Sequence, residues 1–355
     1  MPNNPPPVGE STSPVPVTLL TGFLGAGKTT LLKRILSDPQ GTRFGVLVND
    51  FGAINIDAEL VVETDSDQIS LANGCICCTI QSDLVDAAQR LLANSPAPDH
   101  IIIETSGVSR PLAVVDALLD EKLSGLVKLD SIFCLVDATG FLDLDFAATE
   151  LAIDQASCAD IVFLNKCDIA GSNDIAAAES TLQGPIANIR IVHTRFADVP
   201  REVLFADPEN PGAAIDIARQ RASAKPHAHG HQDDGDSQGH DHQHDHDHDH
   251  HHDHGEEFES WSWQSSAPLD RAKFKQAVHQ LPPTLLRAKG ILRFADQPDG
   301  RGVFHLVGRR TTLTHEPQQG PDASILVAIG RRGSFNRDTL DRIFAACVSD
   351  DNAAA

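Results

Sequence analysis

Positive charge is scarce in this chain. It carries 28 lysines and arginines against 50 aspartates and glutamates, a formal net charge of -22 over 355 residues. An acidic surface repels phosphate backbones, and no local basic patch stands out, so nucleic-acid binding is not expected. Long apolar runs are missing as well: no stretch approaches the roughly 18 residues that a membrane-spanning helix requires. The segment Met1 to Glu10 is proline-rich and polar, with neither the basic start nor the apolar core of a secretion signal. A disulfide framework is lacking too. The seven cysteines, three of them crowded together, suit a reducing compartment. These absences lead to the expectation of a cytoplasmic protein without membrane or nucleic-acid partners. What is present, 41% hydrophobic residues in a chain of this length, is enough for two cored domains.

Residues 1–14 read as a disordered tail. From Val15, short apolar runs alternate with amphipathic stretches. Strands are expected at Val15–Leu20, Phe44–Val48, His100–Glu104, Ser131–Asp137, Asp160–Asn165 and Ile189–His193. Helices are expected at Lys28–Ser37, Asp83–Ala93, Leu112–Leu119, Leu144–Ser157 and Asp174–Leu182. Such alternation predicts right-handed βαβ units and a mainly parallel sheet, with apolar strands because helices cover both faces. The α/β domain is expected over residues 15–210. A His/Asp-rich linker follows over 211–256. It includes twelve of the 17 histidines within 226–255, a composition that cannot build a core. Residues 257–350 then predict a smaller α+β domain, with strands at Phe258–Gln264, Leu286–Phe294, Val303–Val307 and Ser324–Ile329 and helices at Asp270–Gln280 and Arg337–Cys347.

Gly22-Phe23-Leu24-Gly25-Ala26-Gly27-Lys28-Thr29 lies between an expected strand and an expected helix, the context a phosphate loop requires, and makes this a P-loop NTPase domain. Gly22, Gly25, Ala26 and Gly27 would turn backbone N–H groups towards phosphates, and the helix start adds positive potential. Lys28 would neutralise phosphate charge, the Thr29 hydroxyl would ligate Mg²⁺, and Thr30 completes the helix start. Asn165-Lys166-Cys167-Asp168 ends a late strand and matches the pattern that reads guanine. Asp168 would accept from the base N1–H and exocyclic amine, Lys166 would pack its stem along the ring, and Asn165 would tie this loop to the phosphate loop. GTP is therefore expected rather than ATP. Glu104-Thr105-Ser106-Gly107 ends another apolar strand. Glu104 can orient Mg²⁺ or the attacking water, and Gly107 can present its N–H to the γ-phosphate. Asn49-Asp50-Phe51-Gly52 ends the second strand, where Asp50 is either on the metal side of the chemistry or part of a turn.

Cys75-Ile76-Cys77-Cys78 places three thiols within four residues. Three thiolates with one open position suit tetrahedral Zn²⁺ or another soft ion such as Cu(I), Co²⁺ or Fe²⁺, held in a site that can be filled and emptied. Cys134, Cys158, Cys167 and Cys347 are scattered and read as core or incidental. The histidine tract is either a metal-gathering segment or a solvated spacer.

These five motifs together, with Leu286-Arg287-Ala288-Lys289-Gly290 in the C-terminal part, resemble the CobW-type GTPases, which include zinc-regulated metalloprotein activators and nitrile hydratase activators. The resemblance implies a Mg²⁺-dependent GTPase that binds zinc or a related ion at Cys75, Cys77 and Cys78 and hands it to a client apo-metalloprotein. A homodimer is left open. A metal store with nucleotide-regulated capacity, and a cobalt or iron insertion factor for cobalamin synthesis or nitrile hydratase, are the alternatives. Family members commonly read Asn-Glu-Phe-Gly-Glu where this chain has Asp50 and Ala53. An auxiliary metal site using those carboxylates is therefore not expected. Nor is a methionine aminopeptidase client, since the docking motif Cys-Pro-x-Leu-Val is absent from Met1 to Pro14.

Overall fold

A computed structural model describes residues 14–48, 68–70, 79–205, 258–317 and 323–349. Asp50 with its neighbours Asn49 to Gly52, the cysteines 75, 77 and 78, and the histidine tract lie outside the described residues. The chain divides into two compact units, Met1–Phe205 with Leu306–Thr311, and Ala206–His305 with Thr312–Ala355.

The first unit is built on a seven-stranded sheet. Its strands are β1 (Val15–Gly22), β2 (Phe44–Val48), β3 (Gln68–Ser70), β4 (His100–Glu104), β5 (Val127–Asp137), β6 (Ile161–Asn165) and β7 (Ile191–His193). Their order is β3-β2-β4-β1-β5-β6-β7, and every pair is parallel. Strands β2, β4 and β6 are buried along their whole length, because an all-parallel sheet is covered on both faces. The covering helices are α1 (Lys28–Ser37), α2 (Thr79–Leu92), α3 (Pro111–Leu118), α4 (Phe146–Cys158) and α5 (Ser172–Gln183), with a short α6 at Arg201–Leu204.

Helix α4 begins where the Asp145 carboxylate accepts from the Ala148 N–H at 2.8 Å, satisfying one of the open donors of a helix start. It buries a narrow stripe of Ala152, Gln155 and Ala156. Strands β2 to β4 lie on one side of β1 and β5 to β7 on the other, so β1 is the place where the sheet changes winding direction. In such sheets ligands bind outside the carboxyl ends of the strands at that point. Register brings Leu20 level with Glu104 and Asp137 level with Asn165, and so gathers the motif residues at one edge.

A second sheet holds five strands, β8 (Phe258–Ser265), β9 (Leu285–Phe294), β10 (Gln297–Val307), β11 (Arg310–Glu316) and β12 (Ser324–Arg331), accompanied by helices α7 (Arg271–His279) and α8 (Arg337–Ala345). Their order is β11-β10-β9-β12-β8, and β12 is antiparallel to both β8 and β9. Burial alternates residue by residue along β12, the signature of a sheet with one covered face. Phe274 of α7 is fully buried and packs edge-on against Phe294 and Phe304 and tilted against Phe344, with centroids 5.8, 5.2 and 5.9 Å away. Arg287, inside the Leu-Arg-Ala-Lys-Gly motif, is buried in β9.

Strand β11 was not expected from sequence. Arg310-Thr311-Thr312-Leu313-Thr314-His315-Glu316 has a single strongly apolar residue, and none of the seven is buried. An edge strand of this kind carries no alternation to read. Strand β10 likewise starts at Gln297 rather than Val303, through a polar, glycine-containing stretch. Strand β5 starts at Val127 rather than Ser131. The short elements β3 and α6 were also unanticipated.

Candidate functional site

The phosphate loop is a backbone structure before it is a chemical one. Gly22, Gly25 and Gly27 all have positive φ, at 132°, 74° and 106°, a region that side chains disfavour. Space forbids a side chain at two of them as well. A Cβ on Gly22 would stand 2.1 Å from the Leu135 carbonyl oxygen, and one on Gly27 would stand 2.5 Å from Asn165 Nδ2. Gly27 is the N-cap of α1 and supplies no side-chain cap, so the first N–H groups of that helix face outward. Such a terminus with its dipole is an anion site.

Lys28, largely buried, curls back so that Nζ donates to the Gly22 and Phe23 carbonyls at 2.9 and 3.2 Å. The Thr29 hydroxyl donates to Glu104 Oε1 at 2.7 Å. With its proton committed to the carboxylate, the hydroxyl oxygen keeps its lone pairs for a cation. A hydroxyl beside a carboxylate is the hard-oxygen set that Mg²⁺ prefers. Leu24, Gly25, Gly27, Lys28, Thr29, Thr30, Val48 and Glu104 to Gly107 enclose a cavity of about 280 Å³. Gly107 closes tightly on this loop, since a Cβ there would lie 2.7 Å from the backbone nitrogen of Leu24.

Asn165 joins three segments. Its Nδ2 donates to the Ala26 carbonyl at 2.9 Å. Its Oδ1 accepts from the Thr194 hydroxyl at 3.2 Å and from the Ala197 N–H at 2.8 Å. The phosphate loop, the end of β6 and the segment after β7 are thus fastened together. Lys166 has a φ of 63°, and its Nζ pairs with Asp137 Oδ2 at 2.6 Å. Burial pushes the Asp137 carboxyl up, but hydrogen bonds from Lys166 and from the Thr139 hydroxyl and N–H outweigh it, so its pKa lies below the ordinary aspartate value. Asp168 is exposed beyond them.

Burial pushes the Cys134 thiol up to about 12 and raises Cys167 as well, so both stay protonated at neutral pH. Among the described residues no group of three or more histidines, cysteines or acidic side chains could hold a metal ion. No described helix is long and apolar enough to cross a membrane.

Three contributors had not been picked out from sequence. Asp137 ends β5 without a motif around it. The Thr194–Ala197 segment acts through the Thr194 hydroxyl and the Ala197 N–H, with Phe196 and Ala197 both at a φ of 53°, and these form no recognisable motif. Gln155 was visible in principle: it interrupts the otherwise small, apolar stripe of α4, and its Nε2 donates to the Gly107 and Ser109 carbonyls.

Two family models match the chain. The CobW/HypB/UreG nucleotide-binding domain covers residues 16–192, and the CobW C-terminal domain covers residues 258–348. Among curated relatives, a zinc chaperone CobW from Sinorhizobium sp is 33% identical over 190 residues, 46% of this chain and 54% of that protein. The zinc-regulated GTPase metalloprotein activator 1 of Dictyostelium discoideum is 32% identical over 228 residues, 54% of this chain and 48% of that protein. The match therefore spans about half the length of these relatives. A crystal structure of the Zn(II)-bound YjiA GTPase from E. coli is 22% identical, covering 95% of this chain and 100% of that chain at a TM-score of 0.41.

Proposed function

Since the chain belongs to the CobW family and carries both of its domains, we propose that it is a GTP-hydrolysing metallochaperone that binds Zn²⁺ and delivers it to a client metalloprotein. One observation supports the nucleotide half above all others. Thr29 and Glu104, 2.7 Å apart, share a polar cavity with Lys28 and the open N-terminus of α1. In this reading the Gly25, Ala26 and Gly27 amides with Lys28 and Thr30 hold the nucleotide, and Thr29 lines the metal side. Glu104 fixes the Thr29 hydroxyl and orients water. Bound Mg²⁺ would supply charge neutralisation between the phosphates. Asp168 selects guanine, Lys166 covers the ring, and Asn165 keeps the two loops at a fixed separation. Asp50 remains a candidate on the metal side.

The cargo half is supported by sequence and kinship. Cys75, Cys77 and Cys78 supply three soft ligands for Zn²⁺ or, alternatively, Co²⁺ or Fe²⁺. The relatives named as zinc chaperones favour zinc. The site works as a chaperone only if nucleotide state changes metal affinity, and linkage then requires metal to change nucleotide affinity by the same factor. Zn²⁺ titrations with a GTP analogue, with GDP and in a Cys77→Ser variant test this. At least about a fivefold difference in Zn²⁺ affinity between the two nucleotide states is expected, with the tight site lost in the variant. Equal affinities would sink metal transfer and leave a GTPase with a passive metal site. The histidine content of residues 226–255 keeps a storage reading open. Deleting that segment removes most of the bound metal from a store but leaves a chaperone with one tight site and its GTPase.

A further inference from the structure

Gln155 is fully buried in α4 and lies outside the lining of the phosphate cavity. Its stripe neighbours Ala152 and Ala156 are small and apolar. Its Nε2 donates to the carbonyl oxygens of Gly107 and Ser109, both at 3.0 Å. Both facing groups are carbonyls, so the amide must point its nitrogen at them; reversed, three oxygens would meet. The Oε1 atom is buried and accepts no hydrogen bond among the described residues. An orphaned buried acceptor is destabilising, and a leucine or methionine of similar volume would avoid it, though it would leave the Gly107 and Ser109 carbonyls without this donor. Packing alone therefore does not explain a glutamine here.

What the glutamine holds does explain it. The Ser109 N–H donates to the Ser106 carbonyl at 3.0 Å, closing a turn over residues 106–109 that sits against the phosphate loop at Leu24. Gln155 grips two carbonyls of that turn from the α4 side. The helix then leads within a few residues into β6, which ends at Asn165. One helix thus connects the turn beside the phosphates with the loop that reads the base. Given the guanine-nucleotide reading proposed above, on which this rests, we infer that Gln155 is a positioning residue for recognition of the third phosphate. It fixes the Gly107–Ser109 turn at the spacing from the phosphate loop that a nucleoside triphosphate needs and a diphosphate does not. Losing it is felt by GTP and not by GDP.

Gln155→Leu and Gln155→Met in the full chain test this, each assayed for binding of GDP and of a non-hydrolysable GTP analogue with Mg²⁺, and for thermal unfolding. The expected result is about a tenfold loss of affinity for the analogue, the scale of one or two hydrogen bonds. GDP affinity should stay within about twofold, and the melting temperature should fall only modestly, since the variants remove an orphaned acceptor but leave the Gly107 and Ser109 carbonyls without their donor. An unchanged ratio of the two affinities, or a parallel fall in both, would overturn the assignment, the latter marking a merely structural role. Failure of the unmutated protein to bind either guanine nucleotide would instead overturn the reading of the site itself. Should neither variant bind GDP, hydrogen exchange on the unmutated protein decides. Protection that rises with the analogue over both residues 105–111 and the Gln155 turn of α4 supports the inference, and protection confined to 105–111 refutes it.

Discussion

The two units solve the same problem of burying a sheet with opposite consequences for chemistry. In the first, all strands run the same way, so their carboxyl ends fall on one edge. Gly22, Glu104, Asp137 and Asn165, separated by up to 143 positions (165 − 22), become neighbours in the sheet without any of them needing a long reach. In the second, β12 runs against β8 and β9. Strand ends there alternate between the two edges, and no edge collects them. The difference teaches where charge means function. Lys28 and Glu104, buried at the collecting edge, line a cavity, whereas the best-defined feature of the second unit is its aromatic core around Phe274.

The contrast can be broken most severely at Lys28. Lys28→Ala should lower GTP turnover by roughly 10²–10³-fold, the range for removing one preorganised charge-stabilising donor. Melting of the second unit should stay in place, as followed by phosphate release and the fluorescence of Trp261 and Trp263. A smaller loss near wild-type rates would mean that the edge is not a catalytic one. Phe274→Ala sharpens the comparison from the other side. Truncating a fully buried phenylalanine costs about 3–5 kcal/mol, so denaturant unfolding of the second unit should shift strongly while guanine-nucleotide affinity is retained. A matching fall in nucleotide affinity would contradict the division of labour.

The smallest effect concerns acid. Burial pushes the Asp137 carboxyl up, but Lys166 and Thr139 together outweigh it and leave it lowered, so its ionised form stabilises the fold. Its contribution is complete at pH values above the ordinary 3.8 and is lost as pH falls through the lowered folded value. The gap in melting temperature between wild type and Asp137→Asn should therefore be widest near neutrality and close in acid. A gap that grew on acidification would assign the pair the wrong sign.

How much of this was legible in the sequence follows the same physics. Parallel strands such as His100–Glu104 and Ile161–Asn165 are short, apolar and bounded by polar motifs, so the first unit could be read almost strand by strand. The motifs holding Lys28, Thr29, Glu104 and Asn165 are local in sequence and could be picked out for that reason. Arg310–Glu316 was not, because an edge strand without buried residues leaves no period to detect. The Thr194–Ala197 segment escaped since its role is carried by one hydroxyl and one backbone N–H that meet Asn165 only in the fold. Gln155 escaped because a single polar residue in a helical stripe gains meaning only when the two carbonyls facing it are known.

The bonds of Asn165 have a consequence for time rather than for affinity. Phosphate loop and base loop share one amide, so neither can swing open without disrupting contacts that serve the other. If a guanine nucleotide lies between them as proposed, it would depart only when both loops let go together. Under that reading, dwell time on the protein would be paced by the joint opening, with Asn165 as its escapement.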